Sequence, residues 1–152
     1  MEHGSEYGGA YGSGPGSGPG SGPGSGPGRA HGGERTFTPG EARALMPAIL
    51  REAATLVVAR ADLAEIAYDR RTTGSSPLGG VPELKAVEAR IEEIVSTWTG
   101  RGLEVKGIAP VLLDFPAELD GVSVRLCWIE GEPELRWYHR TDLGFAGRRP
   151  LP

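Results

Sequence analysis

From Ala42 onward, apolar residues return every three or four positions. Ala42, Leu45, Met46, Ile49, Ala53, Leu56, Leu63 and Ala67 fall on one face of a helix, and Arg51, Asp62, Glu65 and Asp69 on the other. Just ahead of this stripe stands Thr38-Pro39-Gly40-Glu41. A hydroxyl N-cap, a proline at the first helical position and a glutamate at the third make a capping box, so the pattern predicts a helix over residues 39–71. Pro47 lies inside it and is expected to bend the axis without ending it, because the apolar period resumes at once. Residues 72–80 are a Gly/Ser/Pro turn. A second helix, over residues 82–100, opens at Pro82-Glu83 and places Leu84, Val87, Ile91, Ile94 and Trp98 on one side. Two apolar-faced helices joined by a short polar loop fold back as an antiparallel pair.

Beyond residue 102 the period changes from helical to twofold. Residues 111–115 are an apolar run ended by Pro116, Asp120-Gly121 supplies a turn, residues 122–128 alternate, residues 130–133 turn again, and residues 135–139 alternate once more. A short further strand over residues 103–106 completes the picture. The fold class expected is α+β: a long antiparallel helical hairpin packed with a three- to four-stranded antiparallel meander over residues 103–140, followed by a strap over residues 141–152.

Alternation also assigns faces. Val122, Val124, Leu126 and Trp128 share one side of their strand, and Leu135, Trp137 and His139 share one side of the next; both rows are expected to meet the core. That leaves Ser123, Arg125, Cys127, Arg136, Tyr138 and Arg140 on the other surface, since a slip of one residue would bury the arginines. Cys127 and His139 are thereby expected on opposite faces. This argues against a zinc site and against a thiol nucleophile with a histidine base, and no metal is assigned.

Composition changes the picture at the N-terminus. Gly, Ser and Pro dominate residues 1–34, and GSGP recurs four times from Gly12 to Pro27. With almost nothing to bury, this segment cannot offset the roughly 1–2 kcal/mol per residue of backbone ordering and is expected to be a disordered tether. A single domain over residues 35–152 remains. The first residues hold no apolar run behind a basic segment, and no later stretch approaches the ~20 apolar residues of a membrane span, so neither a signal peptide nor a membrane partner is expected. One cysteine, Cys127, in 152 residues excludes an internal disulfide and fits a reducing, cytoplasmic setting. The net charge of −4, with no stripe of Lys and Arg, argues against nucleic acid as a partner.

The first helix exceeds the second by roughly 20 Å at 1.5 Å per residue. Its overhang needs either the sheet or a second copy of the chain to cover it, so a homodimer or a protein partner through the hairpin is one expectation and self-covering the other.

Four stretches resemble a bacterial family known only as domain of unknown function 2203. They are Phe37-Thr38-Pro39-Gly40-Glu41-Ala42, then Leu113-Asp114-Phe115-Pro116, then Leu126-Cys127-Trp128 followed by Gly131-Glu132, and finally Trp137-Tyr138-His139 leading to Gly144-Phe145-Ala146-Gly147-Arg148. Tyr138 stands where the family's usual pattern has tryptophan directly before the histidine. The resemblance implies domain limits and draws attention to Asp114, His139 and the Gly-Phe-Ala-Gly-Arg segment; it implies no activity.

His139, ending a core-facing row, is a candidate acid/base group that Asp114 or Asp142 could hold in one tautomer. Arg148, with Arg125 and Arg140, is a candidate anion-binding set; in the alternative, Phe145 anchors a structural strap and Arg148 pairs with Asp114 or Asp142. Glu130, Glu132 and Glu134 crowd one turn with no calcium-loop spacing and read as solvated charge. No phosphate loop, nucleophile elbow or dinucleotide fingerprint is present. The sequence therefore favours a noncatalytic interaction or regulatory module acting through its hairpin. The alternative is a small ligand- or metal-binding protein or enzyme with a site around His139, Asp114, Asp142 and Arg148. Reaction and cofactor stay unassigned.

Overall fold

The capping box read at Thr38 is formed: Thr38 Oγ1 accepts from the Glu41 N–H at 3.1 Å, and Glu41 Oε2 accepts from the Thr38 N–H at 2.9 Å. A computed structural model describes residues 34–152; the expected tether lies outside them apart from Glu34. Helix α1 spans Pro39–Thr72 and continues through Pro47. Helix α2 spans Val81–Gly100, and its start is held by Glu83 Oε2, which accepts from the Gly80 N–H at 2.7 Å. The stripe on α1 buries Ala42, Met46, Ile49, Ala53 and Leu56 as expected, then passes through Ala59 and Ile66, with Leu63 only partly covered. Among the described residues no helix is long and apolar enough to cross a membrane.

The helices are joined by a part-buried polar contact at the edge of the apolar seam. Trp98 is fully buried, and its Nε1–H donates to Glu52 Oε2 at 2.7 Å; Arg101 grips the same carboxylate with two bonds of 2.8 Å. Burial alone would raise the pKa of Glu52, but Arg101 and Trp98 outweigh it and hold the carboxyl below its ordinary value.

Five strands follow: β1 (Glu104–Ile108), β2 (Val111–Leu119), β3 (Val122–Ile129), β4 (Trp137–Arg140) and β5 (Arg149–Pro150). They pair antiparallel in chain order, and a single 3₁₀ turn at Phe145–Gly147 precedes β5. The strap expected over residues 141–152 thus supplies the fifth strand. Asp120 and Gly121 both take positive φ, 50° and 77°, as a two-residue hairpin of matching twist requires.

Pro116 does not end its strand as expected, because β2 runs on to Leu119. β1 pairs only as far as Asp114, and beyond it the Pro116 carbonyl accepts from the Phe37 N–H at 2.7 Å. The imide nitrogen faces the same unpaired edge, so no ladder bond to β3 is lost.

The core lies between the helices and one sheet face, where Leu113, Phe115 and Ala117 of β2 meet Val124, Leu126 and Trp128 of β3. Phe37 closes one end with its ring edge-on to Phe115, centroids 5.4 Å apart. Arg60 ties α1 to the sheet through the Ile108 carbonyl at 2.5 Å and two bonds of 2.8 Å to Glu130.

Candidate functional site

Both faces of β2 are buried, and the chemistry lies on the face turned away from the helices. Side chains directly opposite each other in a sheet share a face. Asp114 is opposite Cys127, Cys127 is opposite Trp137, and Arg125 is opposite both Pro116 and His139. Asp114, Cys127, Arg125, Trp137 and His139 therefore occupy one surface.

This overturns the expectation that Cys127 and His139 lie on opposite faces and that Trp137 meets the helices. The β3 assignment is correct for Val124, Leu126 and Trp128; the error enters before β4. Leu135 drops into the core from an irregular loop, and β4 begins only at Trp137, so the parity of Leu135 does not carry into the strand. Tyr138, opposite Leu126, faces the helices instead. The second assumption, that arginine on the far face meets water, also fails. The Arg125 side chain is only 12 % exposed, paired with Glu104 at 3.0 and 3.2 Å and with Glu34 at 3.3 Å.

His139 and Asp114 are both buried, with Nε2 and Oδ2 3.2 Å apart. Nδ1 lies 2.8 Å from the Arg140 carbonyl. A carbonyl only accepts, so Nδ1 carries a proton and donates it, and Nε2 is the atom presented to Asp114. The 3.2 Å contact then needs one further proton, on Nε2 or on the carboxyl. Burial raises the pKa of Asp114, and the facing His139 only partly offsets this.

Cys127 is fully buried beside this pair, and burial pushes its thiol up to about 11, with the Arg148 guanidinium pulling the other way. One ligand atom from each of Asp114, Cys127 and His139 lies within 4.8 Å of the other two. Above the sheet is a cavity of about 400 Å³ lined by Glu104, Lys106, Leu112, Asp114, Arg125, His139, Thr141, Gly144 and Phe145. Glu104 braces one wall. Burial alone would raise its pKa, but Lys106 and Arg125 hold the carboxyl down to about 2.

Of the expected site residues, Asp114, His139 and Arg125 come together. Asp142 does not: it is exposed and bound to Arg140, which is exposed as well, at 2.6 and 3.1 Å. Arg148 sits between the rings of Trp137 and Phe145, 4.9 and 4.5 Å from their centroids, and pairs with Glu132 rather than with Asp114 or Asp142.

The acidic turn is not solvated charge throughout. Glu130 is held at about 2 by Arg60 and by the Val111 N–H, and Glu132 accepts from the Ile129 N–H at 3.0 Å besides binding Arg148; only Glu134, with Arg136, is an exposed pair. Sequence reasoning set Cys127 aside and passed over Glu104, Lys106 and Thr141. The available signal was Pro133, two residues before Leu135, which marks a connection too irregular to carry strand parity.

The model of the family described as uncharacterized conserved protein, DUF2203, matches residues 35–151. No curated protein and no solved structure matches the chain. The chain belongs to the DUF2203 family.

Proposed function

Starting from a family that supplies no activity, we propose that this domain is a small-molecule-binding protein whose ligand enters the cavity over the outer sheet face and meets the Asp114–His139 pair. The observation that carries this is the buried acid–imidazole contact opening on a cavity of about 400 Å³, within the volume range of small-ligand sites. Leu112 and Phe145 give the cavity an apolar side, and Asp114, His139 and Thr141 give it hydrogen-bonding groups. The ligand class that fits is a small molecule with an apolar body and one polar head that exchanges a hydrogen bond or a proton with the pair.

A second reading, interaction through the hairpin, is favoured by a separate observation. Val58 and Tyr68 on α1 are 61 % and 59 % exposed, and a cleft of about 490 Å³ runs between α1 and α2 past Val58, Ala59 and Val87. A homodimer or a protein partner would cover this surface.

One experiment separates the two. Amide shift mapping of the ¹⁵N-labelled chain against a library of small aromatic and aliphatic acids, amides and alcohols is expected to move residues of β2, β3 and β4 around Asp114 and His139. Those shifts should vanish in Asp114→Asn. Shifts confined to the hairpin, or concentration-dependent shifts at Val58 and Tyr68 with none on the outer face, would replace the first reading by the second.

A further inference from the structure

We propose that Asp114, Cys127 and His139 form a binding site for a divalent transition-metal ion of the zinc class, held by three protein ligands with its fourth position open to the cavity. Only the open fourth position rests on the ligand-binding reading above; the three ligands stand without it.

Register brings the donors together. Asp114 and Cys127 are directly opposite on β2 and β3, and His139 on β4 reaches the same spot from the far side of β3. The donor set is chemically coherent: thiolate, imidazole and carboxylate are the ligands zinc takes, and three protein ligands with a fourth position free is its usual catalytic arrangement. Tetrahedral bond lengths put such ligand atoms about 3.4–3.6 Å apart. Nε2 and Oδ2 are already 3.2 Å apart, and with all three atoms within 4.8 Å the thiol has to close a gap of no more than about 1.4 Å.

Two features beyond the triad point the same way. The Nδ1–H of His139 donates to the Arg140 carbonyl, which fixes the tautomer and leaves Nε2 as the ligating atom. A backbone carbonyl in that position is the usual outer partner of a metal-bound histidine. The Arg148 guanidinium lies near enough to Cys127 for its charge to act on the thiol, and its Nε is a buried donor without a hydrogen-bond partner among the described residues. A metal-bound thiolate supplies a strong acceptor in that neighbourhood, whereas a protonated thiol is a weak one. Asp114 and His139 belong to the cavity wall, so the ion's remaining position faces the space a small ligand would occupy.

Binding balances by proton release. The Cys127 Sγ–H bond is exchanged for a sulfur–metal bond, and the proton between Asp114 and His139 leaves as each donates a lone pair, so two protons pass to solvent per ion bound.

Cobalt(II) titration of the metal-stripped full-length chain tests this. Cys127 is the sole cysteine of the chain, so any thiolate-to-cobalt charge-transfer band in the near ultraviolet reports this site alone. The expected result is that band at one cobalt per chain, with visible bands of tetrahedral intensity, both erased by an equivalent of zinc. His139→Ala is expected to weaken cobalt binding by more than about tenfold, with circular dichroism confirming the fold; His139→Gln serves if the alanine variant does not fold. No charge-transfer band in the native chain, the same band in urea-unfolded chain, or undiminished affinity in the folded histidine variant would overturn the site. Small-molecule shifts on the outer face without the cobalt band remove the metal and leave the cavity reading intact. The cobalt band without such shifts does the reverse.

Discussion

At the residue scale, charge on this domain is mostly spoken for. Glu130 is the clearest case: its carboxylate takes two bonds from Arg60 and one from the Val111 N–H, which hold its pKa near 2 against an ordinary 4.5. A carboxyl whose folded pKa is depressed stabilises the fold above its unfolded pKa, and that contribution disappears as pH falls through the folded value. Glu130→Gln is therefore expected to cost about 1–3 kcal/mol in urea unfolding at pH 7, and the penalty should shrink to less than half at pH 2.5. A penalty independent of pH over that window would mean the carboxylate charge contributes nothing. Asp114 is the opposite case, a carboxyl that burial pushes up, left facing an imidazole and a thiol instead of an arginine. Burying a carboxyl there costs free energy that an apolar side chain of the same size would not.

At the element scale, local signals and parity signals behaved differently. The Thr38 capping box, the apolar stripe of α1 and the Asp120-Gly121 turn were legible because each depends on residues a few positions apart, and the structure realises all three. The face of β4 was not legible, because parity survives only within an unbroken strand and the segment between Ile129 and Trp137 is a loop. The end of β2 was misread for a related reason: whether proline is tolerated at 116 depends on which neighbour its nitrogen faces, and that is set by where β1 stops. Leu135 and Arg136 provide a test of the loop. Leu135 is 1 % exposed, and the Arg136 side chain is 66 % exposed. Leu135→Ala should cost about 2–5 kcal/mol and Arg136→Ala less than about 0.5 kcal/mol in thermal or urea unfolding. Equal costs would place Leu135 outside the core.

At the scale of the whole domain, the sheet has two differently used faces. One packs on the hairpin through aliphatic and aromatic residues. The other is covered by the strap, with Arg148 against the rings of both Trp137 and Phe145 and β5 paired to β4. A strap over residues 141–152 was legible in the sequence, but not its pairing to β4 as a fifth strand, because a glycine-punctuated segment with no period does not show which neighbour it meets. This cover is also why Arg125, Asp114 and Cys127 can be buried on a face that alternation alone assigns to water. The candidate site owes its existence to this layering: three strands supply one donor each, and the strap limits access from above. The site requires Cys127 and His139 to share that face. The most direct measurement is a nuclear Overhauser contact between the Cys127 β protons and the His139 ring in the metal-free chain. Convergence of the three donors predicts a clear cross-peak between them, together with one from the His139 ring to the Asp114 β protons. Cross-peaks from the His139 ring to Leu126 or Trp128 instead, with none to Cys127, would return the imidazole to the helix side and contradict the account.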